Sequence, residues 1–218
     1  MKKVGVVLSG CGVQDGSEIH EAVITLLALD RAGATAVCLA PNVDQAHVIN
    51  HLTGQQTRET RNVLVEAARI ARGHVTDIQR AHAADLDALI FPGGFGVAKN
   101  LSTFAFKGVD CTVHGDVTRL CKEMHQDGKP IGFLCIAPTL AARIFGGEVQ
   151  LDLTVGSDPE VAAAINKMGG RHVTCATGDI VVDAANKVVS SPAYMCAKSV
   201  SEAATGIEKL VAKVLEMA

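Results

Sequence analysis

The sequence predicts an α/β fold, a three-layer sandwich in which a mostly parallel sheet is covered by helices on both faces. Short β-branched runs alternate with longer segments of helical period, which is the pattern of such a sheet. Hydrophobic residues make up 48% of the 218-residue chain, ample for a buried core, and the length suits one large domain.

Taken in order, strands are expected near Lys3–Leu8, Thr35–Ala40, Ala88–Phe91 and Pro130–Leu134, with shorter ones near Ile180–Asp183 and Lys187–Ser190. The last two read as a hairpin, because Asn186 in the "AAN" turn adopts turn conformations cheaply, and it adds an antiparallel edge. Between the strands, residues 17–32 set Ile19, Ala22, Val23, Leu26, Leu27 and Leu29 on one helical face that closes at Gly33. Residues 58–72, 113–127, 138–145, 160–168 and 196–217 read as further helices. The stretch "PNVDQAHVINHLTGQQT" shows neither period, and an insertion is expected near 41–80, as a lid or oligomer contact.

Charge and cysteine content exclude several classes. A net charge of −3 with scattered Lys and Arg forms no basic stripe, and aromatics are scarce, so nucleic acid is not an expected partner. Seven cysteines, none in a CxxC pair, point to reduced thiols and a cytoplasmic location. The start "MKKVGVVLSGCG" imitates a lipoprotein signal. Only Val4–Leu8 is apolar there, short of the roughly 7–15 residues such a region needs, and no later stretch reaches membrane-spanning length.

Chemistry-bearing residues gather at strand ends. In "GFLCIAPTL", Cys135 stands between a strand and a helix whose first turn holds Pro138. Ligands collect at that edge of a parallel sheet, and the helix amides are expected to favour a thiolate there. The N–H of Ile136 then faces an oxyanion formed at the sulfur. The alternative for Cys135 is a buried small hydrophobe. In "IFPGGFGVAKNLS", Gly93 and Gly94 leave the backbone bare for close approach to a ligand, and Gly94 supplies a second donor.

The first strand ends in "SGCGVQDGSEIHEAV", where Asp15 and Glu18 fit a capping box. Glu21 falls off the apolar stripe of its helix, at the edge where Cys135 is expected. Desolvation and like charge there raise a carboxyl pKa into the range of a proton shuttle. A dinucleotide loop is disfavoured, since Asp15 stands where G-x-G-x-x-G needs glycine. The pairs His47/His51 and Cys121/His125 have helical spacing but lack a third ligand, so no metal is assigned. Cys11 lies in the loop after the first strand, where packing is the simpler role.

Together, "SGCGVQDGSEIHEAV", "PGGFGVAKNLS" and "GFLCIAPTL" resemble the PfpI-like superfamily, which shares the flavodoxin-like, class I glutamine amidotransferase-like fold. Within it, "NHLTG", "ETRNVLVEAARI" and "PAYM" resemble the enhancing-lycopene-biosynthesis (ElbB-like) family over essentially the whole chain. That resemblance implies a homodimer, Cys135 as nucleophile on a strained elbow, Glu21 as acid/base, and Gly94 and Ile136 as oxyanion donors. It implies a glyoxalase that needs no cofactor and turns glyoxal or a similar small dicarbonyl into a 2-hydroxy acid such as glycolate, reflecting deglycation chemistry. Superfamily proteases carry His directly after the cysteine, where this chain has Ile136, and no Cys-His triad is legible. His20, His114 and His172 are left as approaching residues without a role. The rival reading is a redox-sensing or binding protein built on oxidation of Cys135.

Overall fold

A computed structural model describes residues 1–218 of the protein. Strand β1 (Lys3–Val7) leads to helix α1 (Ile19–Arg31) and β2 (Thr35–Ala40). A small ribbon of β3 (Ile49–Asn50) and β4 (Gln55–Gln56) precedes α2 (Val63–Ile70) and β5 (Val75–Asp77). After β6 (Ala88–Phe91) come two short helices, α3 (Phe95–Lys99) and α4 (Phe104–Lys107), then α5 (Gly115–Gln126) and β7 (Ile131–Leu134). The chain continues through α6 (Pro138–Phe145), β8 (Asp152–Leu153), α7 (Pro159–Lys167) and β9 (Arg171–His172). It ends with the hairpin β10 (Val181–Asp183) and β11 (Val188–Ser191), followed by α8 (Val200–Met217).

Seven strands form one sheet in the order β10-β11-β7-β6-β1-β2-β5, parallel except for β10 at one edge. Successive side chains point to opposite faces, so each central strand feeds two cores. Val4, Val6 and Leu8 pack with Ile90, Leu134 and residues of α1 and α8, whereas Val7, Leu89 and Ile131 pack with residues of α5 and α6. Phe91 and Phe133 are direct partners in the β6–β7 register, fully buried, and their rings stack 5.1 Å apart. Because β11, β7, β6 and β1 are neighbours, their carboxyl ends open side by side. No helix is long and apolar enough to cross a membrane.

The expected sandwich and its antiparallel edge are present, with differences that have local causes. Helix α2 starts at Val63 rather than residue 58, because the Asn62 side chain caps it by accepting from the Val65 N–H at 3.1 Å. Within the stretch 41–80, α2 and β5 return to the main fold and β5 pairs with β2, so the excursion narrows to the ribbon region before Asn62. Strand β5 is three residues of mixed burial, too short to carry a period.

Helix α1 is the larger correction. Its buried residues are Glu21, Ala22, Ile24, Thr25 and Leu29, while Ile19, Val23 and Leu27 of the expected apolar face are exposed. The helix is rotated to carry a carboxyl inward. Such a phase makes sense only if that carboxyl is satisfied inside.

The stacked pair at the sheet centre is expected to matter to the whole core. Phe133→Ala should cost about 3–5 kcal/mol, read as a lower urea midpoint at unchanged m-value.

Candidate active site

Four strand ends build the site. After β7 the chain turns at Cys135, whose φ of 58° lies in the left-handed region that a residue with a Cβ enters at a cost of about 1–2 kcal/mol. The turn is pinned where the Cys135 N–H donates to the Ser191 carbonyl at 3.0 Å and the Ala137 N–H to the Leu134 carbonyl at 2.9 Å. Helix α6 begins three residues on, with Pro138 at its start. This leaves the Ile136 N–H pointing at the Cys135 sulfur, joined there by the Gly94 N–H.

Gly94 has a φ of 100° and starts α3. A side chain on it would run into the backbone of Gly16 and Glu18, because the loop after β6 lies directly on the loop after β1. That contact is stitched by Glu18 N–H to Gly93 carbonyl at 2.9 Å, Phe95 N–H to Val13 carbonyl at 2.8 Å and Gly96 N–H to Gly16 carbonyl at 2.9 Å. Gly93 is bare for another reason: a Cβ there would stand 3.0 Å from the Cys135 Sγ and 2.7 Å from a Glu21 oxygen.

Glu21 has no exposed surface, yet its carboxylate is partnered on both oxygens. Oε2 accepts from the Gly93 N–H at 2.7 Å, and Oε1 from the Tyr194 N–H at 3.1 Å. The Cys135 side chain lies against the same carboxylate, close enough for each to shift the other's ionisation. Tyr194 is held for this by Ala193, a second left-handed residue with φ 42°. Desolvation pushes the Glu21 pKa up to about 7 despite the two amide donors, and neighbouring Glu18 adds to the rise.

The Cys135 thiol runs opposite to the expectation of a helix-stabilised thiolate. Burial first, and then the charge of Glu21, hold its pKa well above the ordinary cysteine value, and the Gly94 and Ile136 N–H groups only partly offset them. Two adjacent anions in a dry site cannot both be ionised, so the resting pair is a neutral thiol beside a carboxylate.

Cys135 is not sealed in. It keeps 8% of its surface and lies on the wall of a cavity of about 410 Å³. Gly94 and Ile136 share that wall, along with Glu18, Asp158 and Tyr194. The remainder is apolar, including Val13, Phe95, Phe104, Val161 and Met195.

Other expected features fall elsewhere. The cap of α1 is Glu18 itself, whose Oε2 accepts from the Glu21 N–H at 2.7 Å. Asp15 instead accepts from the Ile49 N–H at 2.7 Å and stands 3.8 Å from His51, tying the ribbon to the first loop. His47 and His51 thus share no helix. In the second pair Cys121 is fully buried and the His125 ring packs on Phe145, and no cluster of three metal-ligating side chains exists. Cys11 lies among Glu66, Arg69 and Asp15 and not on the cavity wall.

No histidine lines the cavity. His114 caps α5, His172 accepts from the Val155 N–H, and exposed His20 reaches the rim only through a 2.8 Å hydrogen bond to the Tyr194 hydroxyl. Tyr194 itself went unassigned in the sequence. Its signals are that it is the only tyrosine and follows a Pro at the end of the strand beside β7.

Because Gly93 separates the reacting groups by bare backbone, Gly93→Ala is expected to cost about 1–3 kcal/mol in stability. Any displacement of about 1 Å between Cys135 and Glu21 should slow chemistry at Cys135 by about 100-fold, measured on protein that remains folded by circular dichroism.

No protein-family model matches the chain. The human protein "Glutamine amidotransferase-like class 1 domain-containing protein 3, mitochondrial" is 50% identical over 225 aligned positions, covering 99% of this chain and 83% of its own. The rat "ES1 protein homolog, mitochondrial" is 48% identical, covering 99% and 84%. A solved isoprenoid biosynthesis protein with amidotransferase-like domain from Ehrlichia chaffeensis is 37% identical, with a TM-score of 0.94 over 100% of this chain and 99% of that one. Drosophila melanogaster DJ-1beta, at 22% identity and a TM-score of 0.55 over 100% and 95% of the two chains, shares the fold. With half its residues identical across nearly its full length, the chain belongs to the class I glutamine amidotransferase-like family of that human protein.

Proposed function

We propose that the protein is a cofactor-independent glyoxalase of the enhancing-lycopene-biosynthesis type, acting in the cytoplasm as a homodimer on glyoxal and similar small dicarbonyls. The observation that carries this reading is the meeting, at one cavity wall, of a thiol and two N–H donors aimed at its sulfur, with the buried Glu21 carboxyl, pKa about 7, behind them rather than on the wall. A Cys-His hydrolase is a poorer reading, because no histidine lines that wall.

In the proposed sequence the ionised Glu21 carboxylate takes the thiol proton as the Cys135 sulfur adds to an aldehyde carbon. A C–S bond forms, and the carbonyl π electrons become an alkoxide held by the Gly94 and Ile136 N–H groups. Glu21 returns its proton to that oxygen, giving a neutral hemithioacetal. The carboxylate then removes the hydrogen on the sulfur-bearing carbon to give an enediolate, and Glu21 returns that proton to the neighbouring carbon while the hydroxyl proton passes from the first oxygen to the second, leaving a thioester and the carboxylate restored. The first carbon is now at the acid level and the second is an alcohol, so no outside oxidant or reductant is consumed. Water hydrolyses the thioester, releasing glycolate and the thiol. Nothing in this chemistry calls for a metal or an organic cofactor.

The rival, a peroxide sensor, needs a sulfur with thiolate character. Burial and Glu21 work against it here.

Glycolate release from glyoxal is expected for the wild type and lost in Cys135→Ala; retention of wild-type turnover in that variant would overturn the assignment. Because Glu21 is a base only when ionised, kcat/KM should rise with pH through about 7 and then level. In Glu21→Gln that limb should vanish, with a fall of about 10²–10⁴-fold. Sedimentation velocity at micromolar concentration is expected to give a dimer.

A further inference from the structure

In the proposed reaction two hydrogens change place, one from carbon to carbon and one from oxygen to oxygen, and Glu21 accounts for only the first. Its carboxyl sits behind the cavity wall, with Oε2 held by the Gly93 N–H and Oε1 by the Tyr194 N–H. While it carries the hydrogen taken from carbon it is protonated and has no base to offer the hydroxyl. A second group has to serve the oxygens.

The cavity wall narrows the choice. Glu18 and Asp158 line it, but each is committed to a helix start: the Glu18 Oε2 accepts from the Glu21 N–H at 2.7 Å, and the Asp158 Oδ1 from the Glu160 and Val161 N–H groups at 3.0 and 2.9 Å. Tyr194 is the only residue on the wall with a hydroxyl. That hydroxyl is 2.8 Å from the His20 Nδ1, and the two rings lie 5.7 Å apart. His20 stands in the first turn of α1, one position before Glu21, so one helix places both the carboxyl and the imidazole. Burial, and then the carboxyls of Glu18 and Glu21, raise the phenol above the ordinary tyrosine value, so it keeps its hydrogen at the pH where Glu21 titrates. A phenol has one hydrogen to donate and lone pairs to accept with. The forms of His20 that carry hydrogen on Nδ1 fill one lone pair of Oη and leave it both a donor and an acceptor for the cavity.

Resting on the glyoxalase reading, we infer that Tyr194 is a second catalytic residue, its hydroxyl facing the oxygens of the group carried on the Cys135 sulfur, and that His20 is the positioning residue that aims it. In the enediolate step Oη gives its hydrogen to the second oxygen and takes the hydroxyl hydrogen of the first. One O–H bond forms on the substrate as one breaks, the phenol ends unchanged, and no electrons leave or enter the substrate.

Tyr194→Phe removes the hydroxyl but keeps the N–H that holds Glu21, which separates this role from support of the carboxylate. The experiment sets kcat and KM for glycolate formation from glyoxal beside the rate at which iodoacetamide alkylates Cys135, in wild type, Tyr194→Phe, His20→Ala and His20→Asn. The expected result for Tyr194→Phe is a fall in kcat of about 10²-fold with KM and the alkylation rate at their wild-type values. His20→Ala should show a smaller fall that His20→Asn, whose amide still donates toward Oη, restores. Wild-type kcat in Tyr194→Phe would overturn the proposal. So would an equal loss of turnover and alkylation, which marks a hydroxyl that only keeps the wall in shape.

A second readout needs no turnover. Tyr194 is the only tyrosine and the chain has no tryptophan, so near-ultraviolet phenolate absorbance titrates this one hydroxyl. Carboxamidomethylation of Cys135 sets an amide in front of the sulfur and is expected to move that titration relative to Cys135→Ala treated alike. If no glycolate forms but the titration moves, the glyoxalase reading fails and the place of Tyr194 opposite the sulfur stands. If glycolate forms and the phenol titrates identically before and after alkylation, that place is wrong and the glyoxalase reading survives.

Discussion

One buried pair organises this molecule: the Cys135 thiol beside the Glu21 carboxylate, at the carboxyl edge of the sheet. A carboxylate with no exposed surface is tolerable only if its oxygens are occupied, since an unsatisfied buried polar group costs about 1–3 kcal/mol and a charged one more. Gly93 and Tyr194 supply the N–H donors. Each of those donors exacts backbone strain or a missing side chain nearby, seen in Cys135 and Ala193 at positive φ and in the bare Gly93. Every buried side-chain polar atom finds a partner.

The pair also explains why a helix start does not make Cys135 a thiolate. Amide donors at Gly94 and Ile136 favour the anion, but burial and an adjacent carboxylate favour the thiol more strongly. The site is therefore arranged to generate sulfur anion only as the carboxylate takes the proton. In the proposed reaction the same two N–H groups then pass to the oxygen that inherits the charge.

Much of the frame was legible in the chain because the signals are short-range. β2, β6 and α6 fall where apolar runs and Pro138 put them, and the β10–β11 hairpin is present, although the left-handed residue of its turn is Lys187 and Asn186 instead donates to Asp183. Cys135, Glu21, Gly93, Gly94 and Ile136 were nominated by their places at strand ends, and the fold brings all five together. What was hidden depends on distant partners. The phase of α1 is set by Glu21 finding donors 72 and 173 residues away, which no helical period can reveal. Asp15 looked like a cap because its true partner, the Ile49 N–H, is 34 residues on. The ionisation of Cys135 is not legible in the chain, because a local dipole is visible in sequence and a buried neighbouring charge is not.

The central claim, that one proton is shared by the buried pair and rests on sulfur, is tested most directly by thiolate ultraviolet absorbance. The pH titration of wild type minus Cys135→Ala cancels the other six cysteines. The account predicts no thiolate at neutral pH and a signal appearing only above the ordinary cysteine value of about 8.5. A difference spectrum showing full thiolate at pH 6 would contradict it.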